Sequence, residues 1–219
     1  MDVILKYRFE AFLISFCLLV FGSLFFPHQI FESILEPLFL ILNISAGFAI
    51  IYQLNEFRIL YTSLFIITLA FKLFDWFFGV EHYTYLSVIH FSLLSIFYLV
   101  VTWAIIREVW HTQEVTRNVI FGVMGGFTAL GLISFFMLLS IESAEPGSFS
   151  GLDTSNETNQ AQSLLYMAYI TLMSIGYGDI VPTTHIAQKA TILVGLLGQF
   201  YLVIITGVVV GKYINQQNK

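Results

Sequence analysis

Charge is the scarcest commodity in this chain. Only 11% of its 219 residues are Asp, Glu, Lys or Arg, and the formal net charge is −5. A water-soluble domain of this length carries about twice that charged fraction. Nine Lys and Arg in all leave no basic surface for a nucleic acid, so no nucleic-acid partner is expected. The single cysteine, Cys17, excludes an intrachain disulfide and any thiolate metal cluster. No phosphate-cradling glycine loop, metal-ligand cluster or catalytic triad stands out, so neither an enzyme nor a bound cofactor is expected.

Apolar sequence is what the chain has in excess. Hydrophobic residues make up 58% and the mean hydropathy is +0.84, which marks an integral membrane protein. Apolar runs fall at about 10–26, 33–54, 59–78, 84–106, 119–141 and 187–211, and a span needs roughly 20 such residues. These runs predict an all-α membrane protein with six transmembrane helices and one shorter re-entrant segment. No small-residue cleavage site follows the first run, where Phe25-Phe26-Pro27-His28 stands, so it is kept as a span.

If the spans alternate, Lys6, Arg8, Arg58, Arg107, Arg117, Lys212 and Lys219 share one side and only Lys72 and Lys189 the other. Both termini are then cytoplasmic, in a plasma (cell inner) membrane. The outer side collects Glu81, Glu142, Glu145, Asp153, Glu157 and Asp179. Lys72, at membrane depth, is expected to pair with Glu36 or Asp75. The fourth run, from Leu86 to Trp103, holds no Lys or Arg, and its one titratable group, His90, is expected to be a satisfied buried histidine. A helix without charges has almost nothing for a membrane field to move.

The polar stretch 111–118 forms a cytoplasmic connector, with Trp110 as a membrane-surface anchor. The fifth run contains Gly122, Gly125, Gly126 and Gly131, small residues that let helices approach closely in lipid. From Glu142 the composition turns to Ser, Asn, Thr, Gly and acids, an external loop in which Asn156-Glu157-Thr158 is solvated. Residues 162–173 are apolar and too short to span, which suits a re-entrant helix whose C-terminal dipole end favours a cation.

The next residues are Ser174-Ile175-Gly176-Tyr177-Gly178-Asp179. Two glycines around a tyrosine allow backbone angles that let successive carbonyls face one side. The stretch resembles the selectivity filter of tetrameric potassium channels, usually Thr-Val-Gly-Tyr-Gly-Asp, and the resemblance covers about residues 119–214. It implies a pore domain at 119–219, with outer helix 119–141, turret 142–161, pore helix 162–173, filter 174–178 and inner helix 187–213. Residues 1–110 would be a four-helix voltage-sensor-like domain without gating charges.

Several roles follow from the same resemblance. Carbonyls of Ser174, Ile175, Gly176, Tyr177 and Gly178 would replace the hydration shell of K+, with the Ser174 hydroxyl as the innermost layer. Asp179 would sit at the outer mouth, and Tyr166 and Tyr169 in an aromatic collar. Gly198 and Gly195 would be hinge points, and Gln199, Leu202, Thr206 and Val210 the cavity and lower gate. A ring closes only with four copies, so a homotetramer is implied. The partners are K+, membrane lipid and other copies of the chain. Two positions depart from the pattern, because Met173 replaces Thr or Ser before the filter and Ser174 replaces its first Thr. About eight residues follow the last apolar run, so no cytoplasmic nucleotide-binding or calcium-binding domain is expected.

The function expected is passive, potassium-selective conduction with weak or absent voltage gating. Alternatives are a poorly selective cation channel and a membrane receptor or assembly subunit whose pore does not conduct. A transporter would need four copies of the helix, pore-loop, helix unit, and one is present.

Overall fold

The computed structural model describes residues 7–27, 30–52, 58–78 and 84–217. Lys6, Glu81 and Lys219 lie outside the described residues, as do the side chains of Arg58, Lys72 and Asp75, and with them the expected Lys72 pairing. Among the described residues the chain is helical apart from one two-stranded ribbon.

The helices follow the apolar runs, with shifted ends. Helix α1 is Arg8–Phe21, closed by a 3-10 turn at Gly22–Leu24, and α2 is Glu36–Ile51, entered through a π-helical turn at Phe31–Leu35. Helix α3 covers Arg58–Phe78, α4 Thr84–His111 and α5 Arg117–Ala144. Strand β1 is Phe149–Ser150, α6 is Glu157–Leu172, and β2 is Val181–Pro182. Helix α7, His185–Phe200, passes through a π-helical turn at Tyr201–Ile205 into α8, Thr206–Gln217.

Four stretches are long and apolar enough to cross a membrane: Phe31–Ile51, Tyr85–His111, Arg117–Ala144 and His185–Gln217. The expected six are thus four among the described residues. Helix α1 has 14 residues, about 21 Å at 1.5 Å each, against a hydrocarbon core of about 30 Å. Helix α3 has 21 residues, several of whose side chains lie outside the described ones. The connector is also shorter than expected, because α4 runs to His111 and α5 begins at Arg117.

Helices α4 and α5 are antiparallel neighbours along most of their length, and α1 lies against both α2 and α5. A buried polar network fixes the outer bundle. Asn43 on α2 donates to the Phe12 carbonyl at 3.0 Å and to Ser15 Oγ at 2.9 Å, both on α1. It accepts from the Tyr98 hydroxyl of α4 at 2.7 Å. All three helices are therefore registered through one side chain with its polar atoms satisfied, which lipid would otherwise penalise. His90 is buried, and its ring stacks on Phe71 and on Phe91, with ring centroids 5.1 and 5.5 Å away.

The glycines of α5 serve a purpose other than close contact of helix backbones: they seat aromatic rings. A Cβ on Gly131 would overlap the Tyr169 ring, and one on Gly126 would overlap the Tyr201 hydroxyl. Each tyrosine then donates to an α5 carbonyl, Tyr169 to Thr128 and Tyr201 to Val123, both at 2.8 Å. The far ends of α4 and α8 are also tied. Lys212 Nζ donates to the carbonyls of Val109, Trp110 and Thr112 at 2.6 to 2.8 Å, capping the C-terminus of α4. Arg8 pairs with Glu108 close by.

Asn43→Leu is expected to lower stability by about 1–2 kcal/mol, because it strands the Tyr98 hydroxyl and frees α1. A double-mutant cycle with Tyr98→Phe, read by thermal unfolding in detergent, should give less than the sum of the single losses. Strict additivity would mean the Tyr98–Asn43 bond contributes nothing.

Candidate ion-conducting site

The site begins with a helix that the sequence placed too late. Its first turn, Glu-Thr-Asn-Gln, is polar and resembles loop, yet α6 starts at Glu157 rather than 162. Asn156 is its N-cap, accepting from the Asn159 amide at 2.7 Å, so the Asn156-Glu157-Thr158 tripeptide opens a helix instead of lying in a solvated loop. The turret correspondingly ends at Asn156. Within it the Asp153 carboxylate accepts from the Ser155 hydroxyl, from the Ser155 amide at 3.0 Å and from Asn159 Nδ2 at 3.1 Å, and these bonds hold it below the usual carboxylate range.

Glu142 was expected among the external acids, but it is buried. Its two oxygens accept from the amides of Gly147 and Phe149 at 2.8 and 3.1 Å, and Gln160 Nε2 lies 3.3 Å away. One carboxylate thereby staples the end of α5, the turret and the pore helix. The turret continues into β1, which pairs antiparallel with β2 just beyond the filter, Phe149 opposite Pro182. Gly151 lies so close that a Cβ there would overlap the Asp179 carbonyl oxygen. The segment 179–183 is thus held by backbone contacts with residues 148–151.

Between α6 and β2 lies the filter-like stretch. Ser174, Gly176 and Gly178 have φ of 58°, 54° and 81°, and Ser174 is the one non-glycine residue with positive φ among the described residues. A positive φ at every second residue keeps successive peptide planes turned the same way, whereas an extended strand alternates them. The amides turn toward the pore helix. Ser174 N donates to the Thr171 carbonyl at 2.9 Å, and Ile175 N and Gly176 N both donate to the Ile170 carbonyl at 2.8 and 3.3 Å. Among the described residues, no backbone hydrogen bond outside the helices and strands ends on a carbonyl of residues 174–178.

The stretch itself is open. Ile175 is 47% exposed and Tyr177 73%. Asp179 accepts a hydrogen bond from the Tyr166 phenol, which holds that phenol above its usual pKa, with desolvation and repulsion from the same carboxylate adding to the effect. Tyr169, expected beside Tyr166 in the collar, instead turns back into α5.

The inner-helix residues named from sequence fall into two groups. Gly198 packs so tightly that a Cβ would overlap the Leu172 carbonyl oxygen at the end of the pore helix, whereas Gly195 faces open space. Next to Gly198, Gln199 Nε2 donates to Ser174 Oγ at 2.6 Å, a contact that sequence spacing could not reveal. Gln199, Leu202, Thr206 and Val210 are all exposed in the single chain. The π turn at Tyr201–Ile205 adds about one residue to the helix, which rotates Thr206 and Val210 by roughly a quarter turn from α-helical counting. Across its most apolar window, His185–Gln217 is 22% buried against 61% for α5, so the inner helix presents most of its surface outward.

Residues 125–215 match the model of a family described as ion channel, a stretch that opens inside α5 and closes near the end of α8. The match points to a channel and not to an enzyme. No curated protein and no solved structure matches the chain.

Gly198→Ala is expected to push α7 away from the pore helix and to abolish or strongly reduce conduction, measured as ion flux into liposomes. Wild-type flux from this variant would mean the contact with Leu172 is slack. Tyr166→Phe is expected to destabilise the filter exit, seen as faster loss of current during sustained opening. The raised phenol pKa sets the pH dependence of this bond. It is intact at neutral pH and is lost as pH rises through the phenol's folded value, so an alkaline decline that is absent in Tyr166→Phe is the expected signature.

Proposed function

We propose that four copies of this chain assemble around the 174–178 stretch into a potassium-selective channel that conducts passively and responds weakly or not at all to voltage. The observation that carries the reading is the division of labour along the backbone. Amides of Ser174, Ile175 and Gly176 are spent on the pore helix, while the carbonyls of Ser174 to Gly178 have no backbone partner outside the helices and strands among the described residues. Carbonyl oxygens held this way can substitute for the hydration shell of a K+ ion, and one strand supplies only a quarter of each cage.

Several features support the assembly and the ion. The inner helix and the filter are the most outward-facing parts of the pore region, as surfaces shared among subunits would be. The negative end of the pore-helix dipole, at Leu172, lies at the base of the filter and favours a cation there. Asp179 adds a carboxylate at the outer end. Gly195, Leu202, Thr206 and Val210 face away from the packed interior, where a hinge and a hydrophobic constriction would lie. In this reading the protein is multi-pass in the plasma membrane with six crossings and cytoplasmic termini, and residues 1–110 form a sensor-like bundle without moving charges. Such a bundle carries little gating charge, since each elementary charge crossing the field yields only about 2.3 kcal/mol per 100 mV.

A bi-ionic reversal potential, K+ against Na+, on purified protein in planar bilayers tests this. Reversal near the potassium equilibrium potential is expected, with open probability flat in voltage and selectivity lost in Tyr177→Ala. Reversal near zero in the wild type would replace the proposal with a poorly selective cation channel. Absence of current across voltages, pH and membrane tension would favour the non-conducting receptor.

A further inference from the structure

We infer that Gln199 is a selectivity-determining positioning residue: its side-chain amide fixes the Ser174 hydroxyl as the lowest oxygen layer of the pore. The inference rests on the channel reading above and extends it to a side chain of the inner helix.

The starting point is a chemical difference between serine and threonine. A threonine side chain is β-branched and stiff about χ1, so its hydroxyl is aimed by its own covalent structure. Serine lacks the methyl group and can place its hydroxyl in any of three staggered positions. At the base of an ion path, a hydroxyl that wanders is a poor ligand, because the cage then adapts to ions of different size. Ser174 also holds φ at 58°, a region few non-glycine residues occupy.

Gln199 supplies the missing restraint. Its Nε2 donates to Ser174 Oγ at 2.6 Å, across 25 residues of sequence and from a different helix. A serine hydroxyl has two acceptor lone pairs. One takes the Gln199 N–H, and the other remains for a cation. The bond holds the hydroxyl oxygen in one place at the start of the 174–178 stretch.

Gly198 makes the reach possible. Its missing Cβ lets α7 press against the Leu172 carbonyl, two residues before Ser174. That contact brings the neighbouring residue to the foot of the filter. Gly198 sets the distance and Gln199 uses it. The same bond couples the filter to the helix that leads into the π turn, so rotation of the lower inner helix would be felt at Ser174 as a change in hydroxyl direction.

The test is the K+ to Na+ permeability ratio, from bi-ionic reversal, in a double-mutant cycle. Gln199→Leu keeps the volume and removes the amide, and it is expected to lower the ratio roughly tenfold. Ser174→Ala removes the hydroxyl and is expected to lower it by at least as much. Adding Gln199→Leu to Ser174→Ala should change nothing further, because Gln199 acts only through that hydroxyl. Effects that add, or a Gln199→Leu channel as selective as the wild type, would overturn the inference while leaving the channel reading intact. A wild-type channel that does not select K+ would instead overturn the channel reading on which the inference rests. Should Gln199→Leu fail to assemble, Gln199→Asn, too short to reach Ser174, carries the same expectation.

Discussion

Everything in the pore region depends on two amides sharing one carbonyl. Ile175 and Gly176 both donate to Ile170, which pins the backbone against the end of the pore helix and turns its peptide planes in a single direction. A row of carbonyls facing the same way repels itself, and it persists only where the surrounding structure over-determines it. The surroundings do so from three sides. Helix α6 takes the amides, Gln199 donates to the Ser174 hydroxyl, and Gly151 and Tyr166 contact Asp179.

The same constraint explains the packing further out. The pore helix can hold the filter only if it is itself immobile, and Tyr169 locks it into the seat at Gly131 with a bond to Thr128. Tyr201 does the same for the inner helix at Gly126. Helix α5 is therefore the frame on which both pore elements hang. Its other face is covered by α4 and α1, which the Asn43 network registers to α2. Lys212 joins α8 to the last turn of α4, so the outer bundle and the end of the last helix are mechanically linked.

Hydrophobic runs in the sequence located the helices, because an apolar stretch of fixed length has few alternatives in a bilayer. They placed the ends less well. Polar first turns such as Glu157 to Gln160 resemble loop until the Asn156 cap is seen, and α1 ends at Phe21, before the apolar run that announced it does. The positive φ of Gly176 and Gly178 was legible from Gly-Tyr-Gly, since only glycine takes it without strain. The positive φ of Ser174 was not, because nothing in a serine announces it. Contacts between distant residues were hidden for a simpler reason. Glu142 as a staple and Gln199 as a partner of Ser174 each depend on where another helix lies, which local sequence does not encode. The π turn likewise broke a count made at α-helical spacing, and no residue in Tyr-Leu-Val-Ile-Ile signals it.

The central claim is that the carbonyls of residues 174–178, gathered from four subunits, are ion ligands. Diffraction from crystals grown in thallium(I), a heavy analogue of K+, tests it directly. The account requires a file of anomalous peaks on a four-fold axis, spaced along Ser174 to Gly178, that disappears when Na+ replaces thallium. A well-ordered filter with no peaks on its axis, or chains that pack without four-fold symmetry, would contradict it.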